Sequence, residues 1–252
     1  MLPDRSLASE LVQRNADVIV AWTTPSVIAA RQATTTIPIV MVGVADPVGV
    51  GLIASLARPG GNITGISNMA ADLSAKLMEL LMEIVPGMTR VGVVLNPKNP
   101  GTVVQIQGTQ DAIRAKGLQF QTIDAATPAE FERAFARLRG DGIKAAVLLA
   151  DPSVIEHRKR IAELARDAGL LTATQRREYV DAGGVLSYGP NLVRQIRETA
   201  SYVHRIIEGA KPADLPVVQP TTFELVINVK SAKAIGIDVP PTLLARADEV
   251  IE

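Results

Sequence analysis

The 252-residue sequence contains no cysteine. That excludes disulfides, thiolate metal sites and a cysteine nucleophile, and it fits an oxidising compartment without requiring one. Charge of one sign is also lacking: 26 Lys plus Arg stand against 26 Asp plus Glu, a formal net charge of zero. A duplex-binding protein needs a basic footprint to neutralise phosphates, and attachment to an anionic membrane by charge needs the same, so both classes are disfavoured. No apolar run reaches the roughly 18–20 residues that a membrane span needs. The first residues carry neither a basic segment nor an apolar one, so no signal peptide is visible. Catalytic signatures are missing too: there is no Gly-x-Ser-x-Gly elbow, no Walker loop and no His-Glu-x-x-His. His157 and His204 are the only histidines. Each lies in a helical pattern with no second ligand at metal spacing, so no metal and no cofactor is expected.

What the sequence does have is a large apolar fraction, 47% of residues, enough for a sizeable core. Short β-rich runs at 17–22, 37–44, 90–95, 118–123, 145–150, 184–187 and 223–229 alternate with helical periodicities. Leu73, Leu77, Leu80, Leu81 and Ile84 make one helical face; Phe131, Phe135 and Leu138 another; Ile155, Ile161, Leu164 and Ala165 a third. Leu192, Val193, Ile196, Thr199, Ala200, Val203, Ile206 and Ile207 make a long fourth face. Alternation of this kind predicts parallel strands with crossover helices, the doubly wound α/β class. Runs such as Ile37-Pro38-Ile39-Val40-Met41-Val42 are apolar on both faces, as buried parallel strands must be. Turn-rich breaks near 57–68, 181–184 and 211–216 suit two lobes joined by three crossings, and equally one wound sheet with long surface loops.

Four strands end in a polar residue followed by proline: Thr24-Pro25, Asp46-Pro47, Asn96-Pro97 and Asp151-Pro152. Any one pair reads as simple helix capping, since Thr, Asp and Asn cap well and proline suits the first turn. Together they mark strand carboxyl ends, where open α/β sheets bind ligands beside helix N-termini that attract anions. Two of the four are acidic, Asp46 and Asp151, and a carboxylate there would counter a ligand ammonium. The pattern predicts a zwitterion, an amino acid or something like it. Trp22 and Tyr188 sit at strand ends beside turns and would stack on a ligand or pack between lobes. Gly49-Val50-Gly51-Leu52-Ile53-Ala54 has dinucleotide-loop spacing, with Asp72 at about the right distance for a ribose contact, which keeps a Rossmann-like nucleotide-binding enzyme as the alternative.

Longer blocks carry a family resemblance. They are Thr35-Thr36-Ile37-Pro38-Ile39-Val40 through Ala45-Asp46-Pro47-Val48-Gly49, Ser55-Leu56-Ala57-Arg58-Pro59-Gly60-Gly61-Asn62-Ile63-Thr64-Gly65, and Ser187-Tyr188-Gly189-Pro190-Asn191-Leu192. Gly209-Ala210-Lys211-Pro212-Ala213-Asp214-Leu215-Pro216, Pro220-Thr221-Thr222-Phe223-Glu224-Leu225-Val226-Ile227-Asn228 and Leu244-Ala245-Arg246-Ala247-Asp248-Glu249 complete it. In this order they resemble the substrate-binding proteins of ABC transporters, relatives of tryptophan/tyrosine-type uptake systems, over nearly the whole chain. The resemblance implies a type I periplasmic binding protein: two doubly wound Rossmann-like lobes joined by a three-strand hinge. Lobe one would comprise 1–64 plus about 188–216, and lobe two 65–187 plus about 217–252, with crossings near 64–68, 186–188 and 215–220. It also implies a periplasmic location, capture of a small solute in the inter-lobe cleft, delivery to a membrane permease, and no enzymatic activity. A regulatory module of the same fold would need an effector domain, and no helix-turn-helix or basic patch is present.

On that reading Thr24 and Ser26 hold a carboxylate, Asp46 an ammonium, Asn96 and Asp151 close from lobe two, and Tyr188 stacks or hydrogen-bonds. The sequence departs from the family twice. Members begin with a signal peptide and a strand–helix–strand before a helix like that at 2–14, so the first lobe is expected to lack its first strands. Strand 17–22 should then be an open edge, a template for a homodimer. Members also often place a small residue and glycine before Thr-Pro, where Trp22 and Thr23 stand here, making Trp22 a candidate wall of the site.

Overall fold

The computed structural model describes residues 5–68 and 70–252, and the side chains of all of these except 5 and 70–72. In chain order the elements begin with α1 (Arg5–Gln13), β1 (Ile19–Trp22), α2 (Thr24–Ala33), β2 (Ile39–Val44), β3 (Ile63–Ser67), α3 (Ala70–Ile84), β4 (Arg90–Leu95) and α4 (Pro100–Ala115). There follow β5 (Gln119–Asp124), α5 (Pro128–Gly140), β6 (Ala145–Leu148), α6 (Pro152–Glu156), α7 (Arg158–Ala168), β7 (Leu171–Thr174) and α8 (Arg177–Asp181). The last are β8 (Leu186–Pro190), α9 (Leu192–Ile207), β9 (Phe223–Asn228), α10 (Val229–Ala234), α11 (Pro241–Leu244) and β10 (Glu249–Ile251). Strands β3, β7 and β10 were not expected from the sequence. No helix among the described residues is long and apolar enough to cross a membrane.

The chain divides into two compact units. Unit 1 is Met1–Met69, Asn99–Val104 and Pro190–Thr222; unit 2 is Ala70–Lys98, Gln105–Gly189 and Phe223–Glu252. Unit 1 holds a parallel sheet of order β1-β2-β3, in register from Ile19↔Ile39 and Ile39↔Ile63. Alternation along the strands splits its core. Ile19, Ala21, Ile39 and Met41 pack with Val27 and Ala30 of α2 on one face, while Val40 packs with Tyr202 and Ile206 of α9 on the other. Gly65 of β3 has φ 130°, and a Cβ there would stand 2.2 Å from the Met41 carbonyl oxygen, so only glycine fits. Among the described residues β1 pairs with β2 alone, and Val20 is half exposed.

Unit 2 holds a seven-stranded sheet of order β10-β9-β8-β7-β6-β4-β5. One face buries Val91, Val93, Val147 and Ala173 against Leu77, Leu80 and Leu81 of α3. The other buries Val94, Ala146 and Leu148 against Phe131, Phe135 and Leu138 of α5 and Ile161 of α7. Each side chain of this size that leaves water contributes about 1.5–3 kcal/mol, which is what fixes the register. Gly92 lets α5 approach, since a Cβ would lie 2.7 Å from Leu138 Cδ2. Helix α5 is held at its start by a reciprocal cap, Thr127 accepting from the Glu130 N–H and Glu130 from the Thr127 N–H.

The position of β4 matters most for function. It pairs with β5 on one side and β6 on the other, so the strand order reverses there. Connections leaving β4 and β6 diverge at their carboxyl ends, which opens a crevice at this kind of switch point.

Candidate functional site

In unit 1 the loops that leave β1, β2 and β3 bring the first set of expected residues to one end of the sheet. Trp22 closes β1 and is half-buried. Thr24 is buried but does not cap α2: it is the first helical residue, and the capping position belongs to Thr23. Thr23 has φ 74° and ψ 156° and gives no side-chain hydrogen bond to the helix. Its hydroxyl instead lies 3.5 Å from that of half-buried Ser26. That conformation is glycine territory and is strained for a β-branched residue. The helices α5, α6, α9 and α10 are each capped by a side chain, from Thr127, Asp151, Asn191 and Asn228. Helix α2 is left with its first-turn N–H groups and positive dipole end facing outward from a strand end.

Two further segments approach this terminus. The Ala45 N–H points at the Thr24 hydroxyl across 3.5 Å. Gly101, at the start of α4, lies so close that a Cβ would meet Thr24 Oγ1 at 2.6 Å. Asp46 is half-buried, and its Oδ1 accepts from the Gly49 N–H at 2.8 Å. The expected helix after Asp46 does not form; Pro47–Gly51 is a turn stabilised by Asp46. This also removes the support for nucleotide binding at Gly49–Ala54. A pyrophosphate needs a helix N-terminus behind the glycines, and here none follows; the side chain of Asp72 lies outside the described residues.

In unit 2 the expected pair Asn96 and Asp151 comes together at the carboxyl ends of β4 and β6, at the switch point. Asn96 Nδ2 donates to both Asp151 oxygens, at 3.3 and 3.2 Å, and Asn96 Oδ1 accepts from the Lys98 N–H at 3.0 Å. Asp151 is buried, and its Oδ1 also accepts from the Ser153 N–H at 2.9 Å and the Ser153 hydroxyl. Asp151 caps α6, as the Asp-Pro pair led one to expect. Asn96 does not cap α4, which starts only at Pro100, where Asn99 Oδ1 takes the Gly101 N–H. Tyr188 on β8 is half-buried and its ring packs on Phe223, centroids 5.8 Å apart.

Several buried polar groups at strand ends escaped the sequence reading because no proline follows them. Ser67 ends β3 and Thr174 ends β7; both hydroxyls are buried without a hydrogen-bond partner among the described residues. The only signal was a polar residue closing an apolar strand. Other polar groups are structural. Tyr179 is fully buried, its hydroxyl 2.6 Å from that of Thr172, and burial pushes its ionisation well above the ordinary tyrosine range. His157 packs edge-on to Phe131, and His204 is exposed on α9. Among the described residues no three metal-ligating side chains gather.

Parallel sheets with their polar side chains gathered at strand carboxyl ends, and no nucleophile or metal cluster among the described residues, define a protein of the type I periplasmic binding class. The chain belongs to the ABC transporter substrate binding protein family, whose sequence profile matches residues 5–251. It is similar to a tyrosine-binding protein of Clostridioides difficile, 27% identical over 232 residues, 92% of this chain and 66% of that one. The chain thus spans just under two thirds of that relative's length. Among solved structures it is similar to a conserved domain protein of Vibrio cholerae, with 30% identity and a TM-score of 0.92 over 98% of this chain and 84% of that one. It is also similar to an ABC domain from Streptococcus pneumonia in complex with L-Trp, with 25% identity and a TM-score of 0.90 over the same shares.

Proposed function

We propose that this chain is the receptor of an ABC uptake system, binding an amino acid outside the cytoplasm and handing it to a membrane permease. The observation that carries the reading is the N-terminus of α2: a helix start at a strand carboxyl end that, unlike α5, α6, α9 and α10, no side chain caps. Such a terminus takes a carboxylate, on the N–H groups around Thr24 and Ser26. Asp46, at the neighbouring strand end, supplies the negative charge that an α-ammonium requires, and Trp22 an aromatic wall. Asn96 contributes from the switch point of the second sheet, held in orientation by Asp151. Tyr188 contributes its exposed ring edge. The two units act as the receptor's two lobes, and the chain crossings between them as its hinge. The similar proteins described as tyrosine-binding and as holding L-Trp support an aromatic amino acid as the ligand.

The test is a thermal-shift screen against the twenty amino acids, small carboxylates and adenine and nicotinamide nucleotides, followed by calorimetry on any hit. A ligand at 100 times its dissociation constant adds about 2.7 kcal/mol of stability. An amino acid that shifts the wild type and fails to shift Asp46→Asn supports the reading. A shift with a nucleotide alone replaces it with the enzyme alternative. We further propose that the free edge of β1 pairs with a second copy of this chain, because an exposed edge of this kind is a template for strand addition.

A further inference from the structure

Helix α4 has an unusual buried face. Thr102, Gln105 and Thr109 stand at spacings of three and four, so they share one side of the helix, and all three are buried. Where a core helix carries apolar side chains, this half of α4 carries uncharged polar ones; Ile113 restores the apolar pattern only in the last turn. The two threonines are satisfied locally. Thr102 Oγ1 donates to the Asn99 carbonyl at 3.0 Å, and Thr109 Oγ1 to the Gln105 carbonyl at 3.0 Å, with the buried Ser74 hydroxyl at 2.8 Å. Short hydroxyl side chains can turn back to the helix in this way. The longer amide of Gln105 cannot. Its Oε1 and Nε2 are both shielded from water and both without a hydrogen-bond partner among the described residues. Other buried orphans offer one atom each, as do Ser67, Thr174 and Gln195; Gln105 offers a donor and an acceptor together.

We infer that Gln105 is a specificity-determining residue that reads the ligand side chain, and that it selects a group which both donates and accepts a hydrogen bond. The inference rests on the amino-acid reading of this site. Gln105 lies one helical turn from Gly101, on the same side of α4. Gly101 is the residue pressed against Thr24, so the helix that meets the carboxylate-binding terminus also carries the amide. Oε1 takes a proton and Nε2 gives one. Among aromatic amino acids the phenol of tyrosine does both, the indole of tryptophan only donates, and the ring of phenylalanine does neither. A site built around a buried polar group rejects an analogue that leaves that group unpaired.

The experiment is isothermal titration of L-tyrosine, L-tryptophan and L-phenylalanine into the wild type, Gln105→Met and Gln105→Glu, with the ligand-free melting temperature of each. The expected wild type prefers tyrosine over phenylalanine by about tenfold or more, the range open to a site that pairs a substrate hydroxyl. Gln105→Met should bring that ratio close to one while keeping its affinity for phenylalanine, and its ligand-free protein should melt no lower than wild type. Gln105→Glu keeps an acceptor and should keep part of the preference for tyrosine and tryptophan over phenylalanine. A wild type that binds tyrosine and phenylalanine alike, or a Gln105→Met protein that keeps the preference, overturns the role of Gln105 and leaves the receptor reading intact. A wild type that binds none of the three while another solute binds overturns the aromatic reading, and the role of Gln105 with it.

Discussion

Thr23 is the residue at which sequence and conformation disagree most. It adopts φ 74° in the turn between β1 and α2, where relatives often have glycine. Holding a β-branched residue there costs on the order of 1–3 kcal/mol, part of which glycine recovers despite its greater freedom when unfolded. Thr23→Gly should therefore raise the urea midpoint by an amount equivalent to about 1 kcal/mol; an unchanged or lower midpoint would show that the turn is not strained. Asp151 gives the opposite case. Asp151→Ala leaves the Asn96 amide and the Ser153 hydroxyl without their acceptor, and should cost about 1–3 kcal/mol in the same titration. Asp151→Asn, which keeps an acceptor, should lose less; equal losses would deny the carboxylate its organising part. At this scale the polar–proline pairs were legible because strand end, cap and proline are local chemistry. Their exact use was not. Thr24 entered the helix, and Asp46 stabilised a turn, because both outcomes satisfy the same N–H groups. Gln105 and Thr174 left no trace in the sequence, since a single polar residue in an apolar stretch has no spacing to recognise.

Elements show a similar division. The alternation of strands and helices was legible from period alone, but β3, β7 and β10 were missed. β3 contains Gly65, a breaker in isolation that the sheet requires because the Met41 backbone passes so close. β7 and β10 have four and three residues, too short for a pattern. Helix α9 exposes the limit of periodicity. Its apolar residues were read as a buried face, yet Val193, Ile196 and Ile207 are exposed, and the covered face is Gln195, Thr199, Tyr202 and Ile206. Period identifies a stripe but not which stripe is covered. On the α9 side of the sheet Val20, paired with Val40 in register, is half exposed at the open edge of β1. A lysine on an edge strand blocks strand addition. Val20→Lys should lower the apparent mass seen by light scattering at high concentration, with little change in melting temperature. A wild type that stays monodisperse and monomeric across the concentration range sinks the edge-pairing proposal.

At the scale of the whole molecule, the cores of the two units are separate sets of residues. Unit 1 has a three-stranded sheet, and unit 2 a seven-stranded one with a helix layer on each face. Separate cores of unequal size need not melt together, so calorimetry should resolve two transitions rather than one. Acid identifies them. Glu79, Glu130 and Glu178 all lie in unit 2 and all have their ionisation held below the ordinary value of 4.5. The hydrogen bond from Lys116 does this chiefly for Glu79, and the N–H of Ala126 for Glu130. For Glu178, burial works in the opposite direction and the hydrogen bond and charge of Arg176 outweigh it. Carboxyls with depressed folded values add stability that is present above 4.5 and lost as pH falls through those folded values. The transition of unit 2 should therefore move to lower temperature between pH 5 and pH 3 further than that of unit 1. Glu178→Gln should remove part of the movement, because it removes the least exposed of the three carboxylates. The units can be assigned by the indole fluorescence of Trp22, the single tryptophan, which reports on unit 1 alone. If one transition is seen at every pH, the units share a single cooperative core. If two are seen and the one reported by Trp22 is the more acid-sensitive, the ion pairs of unit 2 are not what acid removes first.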